Sequence, residues 1–176
     1  WKHWFELEYG LTDRFDVALY QMFSQSNGTA ASFSYDGLKL RTRYRFAERG
    51  EYAVDPLLYV EWIRNSNLAA PNIAEVKLIA AKDFGRLNIS VNYILEAELQ
   101  RRGVVEHEYS AGVAYEFLPA FKAGLEAKGN FTGGKYYAGP VISWANPKFW
   151  LSIGAVAGVN AKSDDVQARS LIGVHF

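Results

Sequence analysis

Basic residues occupy every second position of one segment: Lys39, Arg41, Arg43 and Arg45. Residues two apart in an extended strand project from the same face, so these four side chains share one face. The neighbouring extended segments carry Asp16 on one side and Glu61 on the other. Guanidinium groups bind carboxylates through strong, paired hydrogen bonds. If this face encloses a lumen, the ion pairs either form an ionic constriction or close the lumen, and the pattern allows both.

Other kinds of chemistry lack the residues that they need. The chain has no cysteine, which excludes a disulfide framework, a thiolate metal site and a cysteine nucleophile. None of the three histidines (His3, His107 and His175) has a serine near it on its own strand face. Nineteen basic residues balance 19 acidic ones, so no positive surplus indicates a nucleic-acid partner. We therefore expect no enzymatic activity, no metal and no cofactor.

Alternation of polar and apolar residues runs along the whole chain and predicts strands without helices. About eleven strands are expected, at 2–11, 14–26, 32–47, 56–65, 73–84, 86–101, 105–117, 120–131, 135–145, 148–159 and 165–176. No linker or low-complexity segment divides the chain. Residues 1–176 are therefore expected to form one all-β domain.

The connections between these strands alternate in length. Short turns are expected at 12–13, 85–86, 118–119 and 146–148, with 48–55 as the longer member of that set. Longer polar loops are expected at 26–29, 65–71, 100–103, 132–134 and 160–165. Short turns at one end and longer loops at the other are typical of an antiparallel, up-and-down transmembrane β-barrel of the outer membrane.

Aromatic residues make up 15% of the chain and charged residues 22%, and the strand pattern separates the two groups. The aromatic residues beside the short turns are expected to form a girdle at the membrane interface: Tyr9, Phe15, Phe46, Phe84, Phe117, Phe121, Trp144, Phe149 and Phe176. A second girdle at the opposite end is expected from Trp4, Phe23, Trp62, Phe131 and Tyr136. A charged residue facing lipid costs about 2–4 kcal/mol, so the charged faces are expected inside. A soluble β-protein with solvated charges is the alternative.

The inward face then carries both signs of charge. The principal residues expected to line the pore are Glu6, Glu8, Lys39, Arg41, Arg43, Arg45, Glu61, Glu75, Lys77, Glu96, Glu98, Glu126 and Arg169. Further inward positions are Asp16, Tyr20, Tyr59, Asn88, Asn92, Glu108, Glu116, Lys122 and Lys128. The narrowest part is expected near Glu8, Arg41, Arg43, Glu61 and Glu96. One side is expected to be roomier because its inward residues are small: Gly112, Ala114, Gly124, Gly139 and Gly154.

The last strand, ARSLIGVHF at 168–176, ends on an aromatic residue. This ending resembles the signal by which bacterial outer-membrane proteins are recognised for insertion, which implies that Phe176 lies on the periplasmic side. Counting back, the first expected strand starts on the extracellular side. Single-chain bacterial barrels have an even number of strands. We therefore expect about twelve strands, with one more strand before Trp1.

Two segments resemble a known family of channels: 8–19 (EYGLTDRFDVAL) and 137–144 (YAGPVISW). The first resembles the periplasmic hairpin of outer-membrane channels associated with the phenol meta-degradation pathway. The second resembles the GPxxS strand of the same proteins. The resemblance implies a narrow channel for small molecules, hydrophobic ones among them, in the outer membrane of a Gram-negative bacterium.

These observations predict a monomeric channel in the bacterial outer membrane for the passive uptake of small solutes. Its expected partners are the lipid bilayer and the solute. The alternative is a closed structural or interaction barrel, whose loops at 65–71 and 160–165 contact a partner. A lumen filled by salt bridges would favour the closed barrel, whereas an open path would favour the channel.

Overall fold

The computed structural model describes residues 1–28, 31–100, 103 and 105–176. Within them the chain forms eleven strands. The bounds are β1 (Lys2–Thr12), β2 (Phe15–Gln25), β3 (Phe33–Arg45), β4 (Asp55–Asn65), β5 (Ile73–Phe84), β6 (Leu87–Glu98), β7 (Glu106–Leu118), β8 (Phe121–Asn130), β9 (Lys135–Ala145), β10 (Phe149–Gly158) and β11 (Val166–Val174). The predicted order of strands is confirmed, with small differences at the strand ends. Of the predicted loop residues, Thr29, Arg101 and Arg102 lie outside the described residues.

All eleven strands belong to one sheet in sequence order, and every neighbouring pair is antiparallel. The up-and-down topology expected from the alternating connections is therefore confirmed. Within the described residues, β1 pairs only with β2, and β11 pairs only with β10. The described sheet is open, and the expected closure with about twelve strands stays a prediction. The described residues contain no helix that is long and apolar enough to cross a membrane.

Burial on the two faces of the sheet is the reverse of that in a water-soluble protein. The charged residues Arg41 and Glu61 are only 4% and 2% exposed, whereas the adjacent Leu40 and Val60 are 49% and 38% exposed. Arg41 and Glu61 are direct partners across β3 and β4. A single sheet can bury one of its faces only by curving around it. The charged face is therefore concave, and the apolar face is convex and exposed.

Aromatic residues line the convex face at the end of the sheet that carries the short turns. Ring centroids lie 6.2 Å apart for Phe117 and Phe121, 6.4 Å for Phe121 and Trp144, and 5.7 Å for Trp144 and Phe149. These rings come from β7 to β10, so they form a continuous row across four strands. The clustering expected for the first girdle is present in this row.

A second aromatic group lies at the end with the longer loops. Phe131 packs against Tyr109 and Tyr136 with centroid distances of 5.1 and 6.3 Å. Trp4 was expected in this group, but it shares a face with Glu6, and its ring lies 4.2 Å from Lys39 Nζ. The expectation for Trp4 is wrong because it used position along the strand and ignored the alternation of the two faces.

Gly37 allows a local irregularity where β2, β3 and β4 meet. It has a φ of +135°, a value that residues with a side chain rarely adopt. The register between β2 and β3 shifts at this level, between Met22 and Phe23. A Cβ atom at position 37 would overlap the backbone carbonyl of Arg64 on β4. Both conformation and space therefore require glycine here.

We expect Gly37→Ala to lower the free energy of unfolding by about 1–3 kcal/mol, because it adds backbone strain and forces β4 to move. Gly10→Ala is the matched control, since a Cβ at Gly10 meets no atom within 4 Å. Urea denaturation followed by tryptophan fluorescence measures both effects. Equal losses in the two variants would contradict this account of Gly37.

Candidate functional site

Arg41 is the centre of an ion-pair cluster on the concave face. Its Nη1 atom lies 2.7 Å from Glu6 Oε1, and its Nη2 atom lies 2.6 Å from Glu8 Oε2 and 3.1 Å from Asp16 Oδ1. Nη1 also donates a hydrogen bond to Tyr20 Oη at 3.0 Å. One guanidinium therefore holds three carboxylates from two strands, β1 and β2.

The register of β2 explains how Arg41 reaches β1. Its direct partner on β2 is Ala18, which is too small to block the side chain. The guanidinium can therefore extend over β2 to the carboxylates of β1. Arg43, two positions along β3, lies 2.6 Å from Glu8 and 3.0 Å from Asp16. The two arginines thus share the same two carboxylates, as expected for strong bidentate pairing.

A second cluster lies on β3 to β5. Lys39 Nζ is 2.9 Å from Glu61 Oε1, and the hydroxyl of Tyr59 donates to Glu61 Oε2 at 2.6 Å. Lys77 Nζ is 2.8 Å from Glu75 Oε1 and 4.4 Å from the centre of the Tyr59 ring. The two lysines therefore compensate the two buried carboxylates locally.

Carboxylates continue across the sheet from this cluster. Glu61 is the partner of Glu75, Glu75 of Glu96, and Glu96 of Glu106, in successive strand pairs from β4 to β7. Like charges that face each other across strands repel. Within the described residues, Glu96 and Glu98 have no basic group within 4.0 Å. This stripe therefore keeps a negative potential after Lys39 and Lys77 have made their pairs.

A third cluster lies on the same concave face but on the later strands, where Arg169 of β11 forms an ion pair with Glu126 of β8. The side chains pass over Gly154 of β10, where a Cβ would come within 2.7 Å of Glu126 Oε1. Gly112 and Gly139 are the direct partners of Glu126 on β7 and β9. The small residues that were expected to widen this side therefore make room for an ion pair that lies flat on the sheet.

All the residues expected to line a pore share the concave face, because the register places them in continuous rows across neighbouring strands. The structure does not bring them into one cluster. The ion pairs of Arg41, Arg43, Lys39 and Lys77 lie on β1 to β5, and that of Arg169 lies on β8 to β11. Among the described residues, no ion pair joins these two sides.

Two cavities open on the concave face. One, of about 350 Å³, lies at the turn end beside Arg14, Arg43 and Arg45. The other, of about 300 Å³, lies at the loop end and is lined by Ile94, Glu108, Ser110, Lys128, Tyr137 and Asp164. Sequence reasoning missed the contributions of Ser110, Tyr137 and Asp164. The first two share the strand face of charged neighbours and could have been found, but Asp164 lies in a loop without a periodic pattern.

Asp164 lines the second cavity at its loop end. Its Oδ2 atom accepts hydrogen bonds from Gln167 Nε2 at 2.8 Å and from Tyr137 Oη at 3.0 Å. These hydrogen bonds, the one from Gln167 first, hold the pKa of the Asp164 carboxyl below its ordinary value. Asp164 therefore carries its negative charge at neutral pH.

Neither a scan against protein-family models nor a search of the curated proteins found a match to this chain. The resemblance of 8–19 and 137–144 to a channel family therefore stays a prediction. In the part of the chain that the structure describes, no three acidic or histidine side chains are grouped to hold a metal ion.

We expect Arg41→Met to lower the free energy of unfolding by about 3 kcal/mol, because it leaves Glu6 without a cation and Glu8 and Asp16 with Arg43 alone. The value is at the low end for buried pairs, since the carboxylates are partly exposed. Arg45→Met is the matched control on the same strand face. Its partner Glu48 is 3.3 Å away and more than half exposed, so its loss is expected to cost about 0–1 kcal/mol. Chemical denaturation measures both, and a smaller loss for Arg41→Met than for Arg45→Met would contradict the central role of Arg41.

Proposed function

We propose that this sheet is the wall of an outer-membrane β-barrel that passes small solutes by diffusion. The support for a membrane location is the reversed burial of the two faces. Leu7, Leu78 and Leu125 lie on the convex face and are 58–61% exposed, and apolar residues surround them. Contact of these apolar side chains with lipid chains costs no free energy, whereas their exposure to water is unfavourable. Aromatic rows at both ends of the strands fit the two membrane interfaces.

Closure of the barrel is proposed from the two unpaired edges. In an up-and-down sheet, β1 and β11 run in the same direction because both are odd-numbered. Pairing them directly would create one parallel seam in an otherwise antiparallel sheet. One further strand between them, antiparallel to both, avoids the seam and makes about twelve strands, an even number. With strands about 4.8 Å apart and tilted by about 40°, the backbone radius would be about 12 Å.

The location of the ion pairs favours a channel over a closed barrel. Arg41 and Arg43 bind carboxylates no more than two strands away, and Arg169 binds one three strands away. These pairs lie along the wall. Among the described residues, none extends from β1–β5 to β7–β11. In a closed barrel this arrangement would leave the middle of the lumen to solvent and solute, and the position of the ion pairs is the observation that supports the proposal.

The proposed pathway carries both signs of charge and performs no covalent chemistry. Arg41 and Arg43 line one side, and the carboxylates of Glu96 and Glu98, which make no ion pair with another described residue, lie further round the wall. Solutes are therefore expected to pass paired charges on the Arg41 side and acidic groups on the Glu96 side. Size and local charge contacts would then select among them.

Membrane insertion can be tested with one substitution on each face. We expect Leu78→Arg, on the convex face of β5, to destabilise the protein in lipid by about 2–4 kcal/mol, because the charge would face hydrocarbon. Ser90→Arg, on the concave face of the adjacent β6, is the control and should be tolerated better. Folding into lipid vesicles, followed by urea titration and by heat-modifiable gel mobility, measures both variants. Equal tolerance in vesicles, together with purification of the wild type without detergent, would contradict the membrane assignment.

Channel activity can be tested in planar bilayers. We expect single-channel conductance from the wild type. Arg43→Ala should raise the conductance and shift selectivity towards cations, since a guanidinium is removed while acidic groups remain. Thr42→Ala is the matched control, because Thr42 is adjacent on β3 and projects from the convex face. It should leave conductance unchanged.

A null result would also be informative. If the wild type and Arg43→Ala insert into bilayers but carry neither current nor solute flux, the channel proposal fails. The closed structural barrel would then be the better interpretation.

A further inference from the structure

The cavity at the loop end contains a cation that its neighbours leave unpaired. Lys128 lies on the concave face of β8 and is half-buried in the wall of the 300 Å³ cavity. Among the described residues, its Nζ atom makes no ion pair and no hydrogen bond. Its Nζ atom lies 5.6 Å from the centre of the Tyr137 ring. The other basic residues of the concave clusters, such as Arg41 and Lys39, are paired.

The direct cross-strand partner of Lys128 is Ser110 on β7. Ser110 also has an unused hydrogen-bond donor. Its Oγ atom accepts a hydrogen bond from Asn92 Nδ2 at 2.6 Å. Its own hydroxyl proton has no acceptor among the described residues. Ser110 and Lys128 therefore present two hydrogen-bond donors next to each other and facing the cavity.

The carboxylates around the cavity are already engaged by neutral donors. Glu108 accepts from Asn130 Nδ2 at 2.7 Å, and Asp164 accepts from Tyr137 and Gln167. These groups therefore have partners without Lys128. The cavity is thus supplied with donors that lack an acceptor, and an anionic oxygen is the group that would satisfy them.

We propose that this cavity binds a small organic monocarboxylate, with its carboxylate on Lys128 Nζ and Ser110 Oγ. Ile94 lies in the same wall and offers an apolar surface to the body of the ligand. The lining carries Lys128 and Lys135 beside Glu108 and Asp164, so its charges balance and suit a ligand with a single negative charge. A dianion such as inorganic phosphate would be repelled by these carboxylates. A cationic amine would face Lys128 itself.

This inference deepens the proposed function, because it names the solute class that the loop end of the channel would capture first. The importance of the site for transport therefore rests on the proposed channel. Binding and conduction are separate measurements, however. The site can therefore be tested in detergent solution without any assumption that the barrel conducts.

The test is isothermal titration calorimetry of the full-length protein, folded in detergent, with butyrate as the probe. Wild type should bind butyrate saturably, and it should bind n-butylamine and inorganic phosphate at least about tenfold more weakly. Lys128→Met should lower the butyrate affinity by about tenfold or more, because it removes the charge-assisted hydrogen bond while keeping the length of the side chain. Lys128→Arg should retain most of the affinity, and Ser110→Ala should cause a smaller loss than Lys128→Met.

Lys122→Met is the matched control, since Lys122 is on the same face of the same strand but at the turn end. Its butyrate affinity should equal that of the wild type. If Lys128→Met does not fold, a lower butyrate affinity of Ser110→Ala, with affinity largely retained in Lys128→Arg, supports the site. Equal butyrate affinity in all variants, or phosphate or butylamine binding as tightly as butyrate, would overturn the site.

The two proposals fail in different ways. Binding of butyrate by a protein that carries no current would keep the site and remove the channel. Conductance without saturable butyrate binding would keep the channel and remove the site.

Discussion

The guanidinium of Arg41 must be neutralised by carboxylates of its own sheet, and the first three strands are arranged around that requirement. Charge at a buried position is tolerated only with close partners of opposite sign. Those partners come from β1 and β2, so the sheet must curve enough to bring β1 towards β3. Ala18 leaves the space that the side chain crosses. Curvature, small residues and ion pairing therefore depend on one another.

Much of the fold could be predicted because one pattern, the two-residue alternation, determines both strand and face. Arg41 and Leu40 differ by one position, and this difference decides whether a side chain is buried with carboxylates or exposed on the outside. Pairing in sequence order followed from the short connections. The alternation also carried enough information to place Trp4 on the concave face, where it packs on Lys39. Trp4 also lies near a strand end, but its parity and not that position decides which face it occupies.

The partners of each charged residue could not be predicted in the same way. They depend on register between strands and on the reach of long side chains, which a single sequence does not specify. Glu126 and Arg169 are 43 residues apart, and nothing local links them. The loop-end cavity could not be predicted either, since Asp164 comes from a loop and the free donors of Lys128 and Ser110 depend on which neighbouring groups pair with each other.

The ion pair between Arg169 and Glu126 has a mechanical consequence for the end of the sheet. Within the described residues β11 pairs with β10 alone, so side-chain contacts that reach beyond β10 add to its attachment to the sheet. Arg169 ties this strand to β8, beyond its own neighbour β10, and Gly154 lets the tie lie flat. Peeling β11 away would therefore leave Glu126 without its cation three strands further in. The outermost strand is thereby coupled to the interior of the wall, so its local opening becomes a cooperative event that involves four strands together.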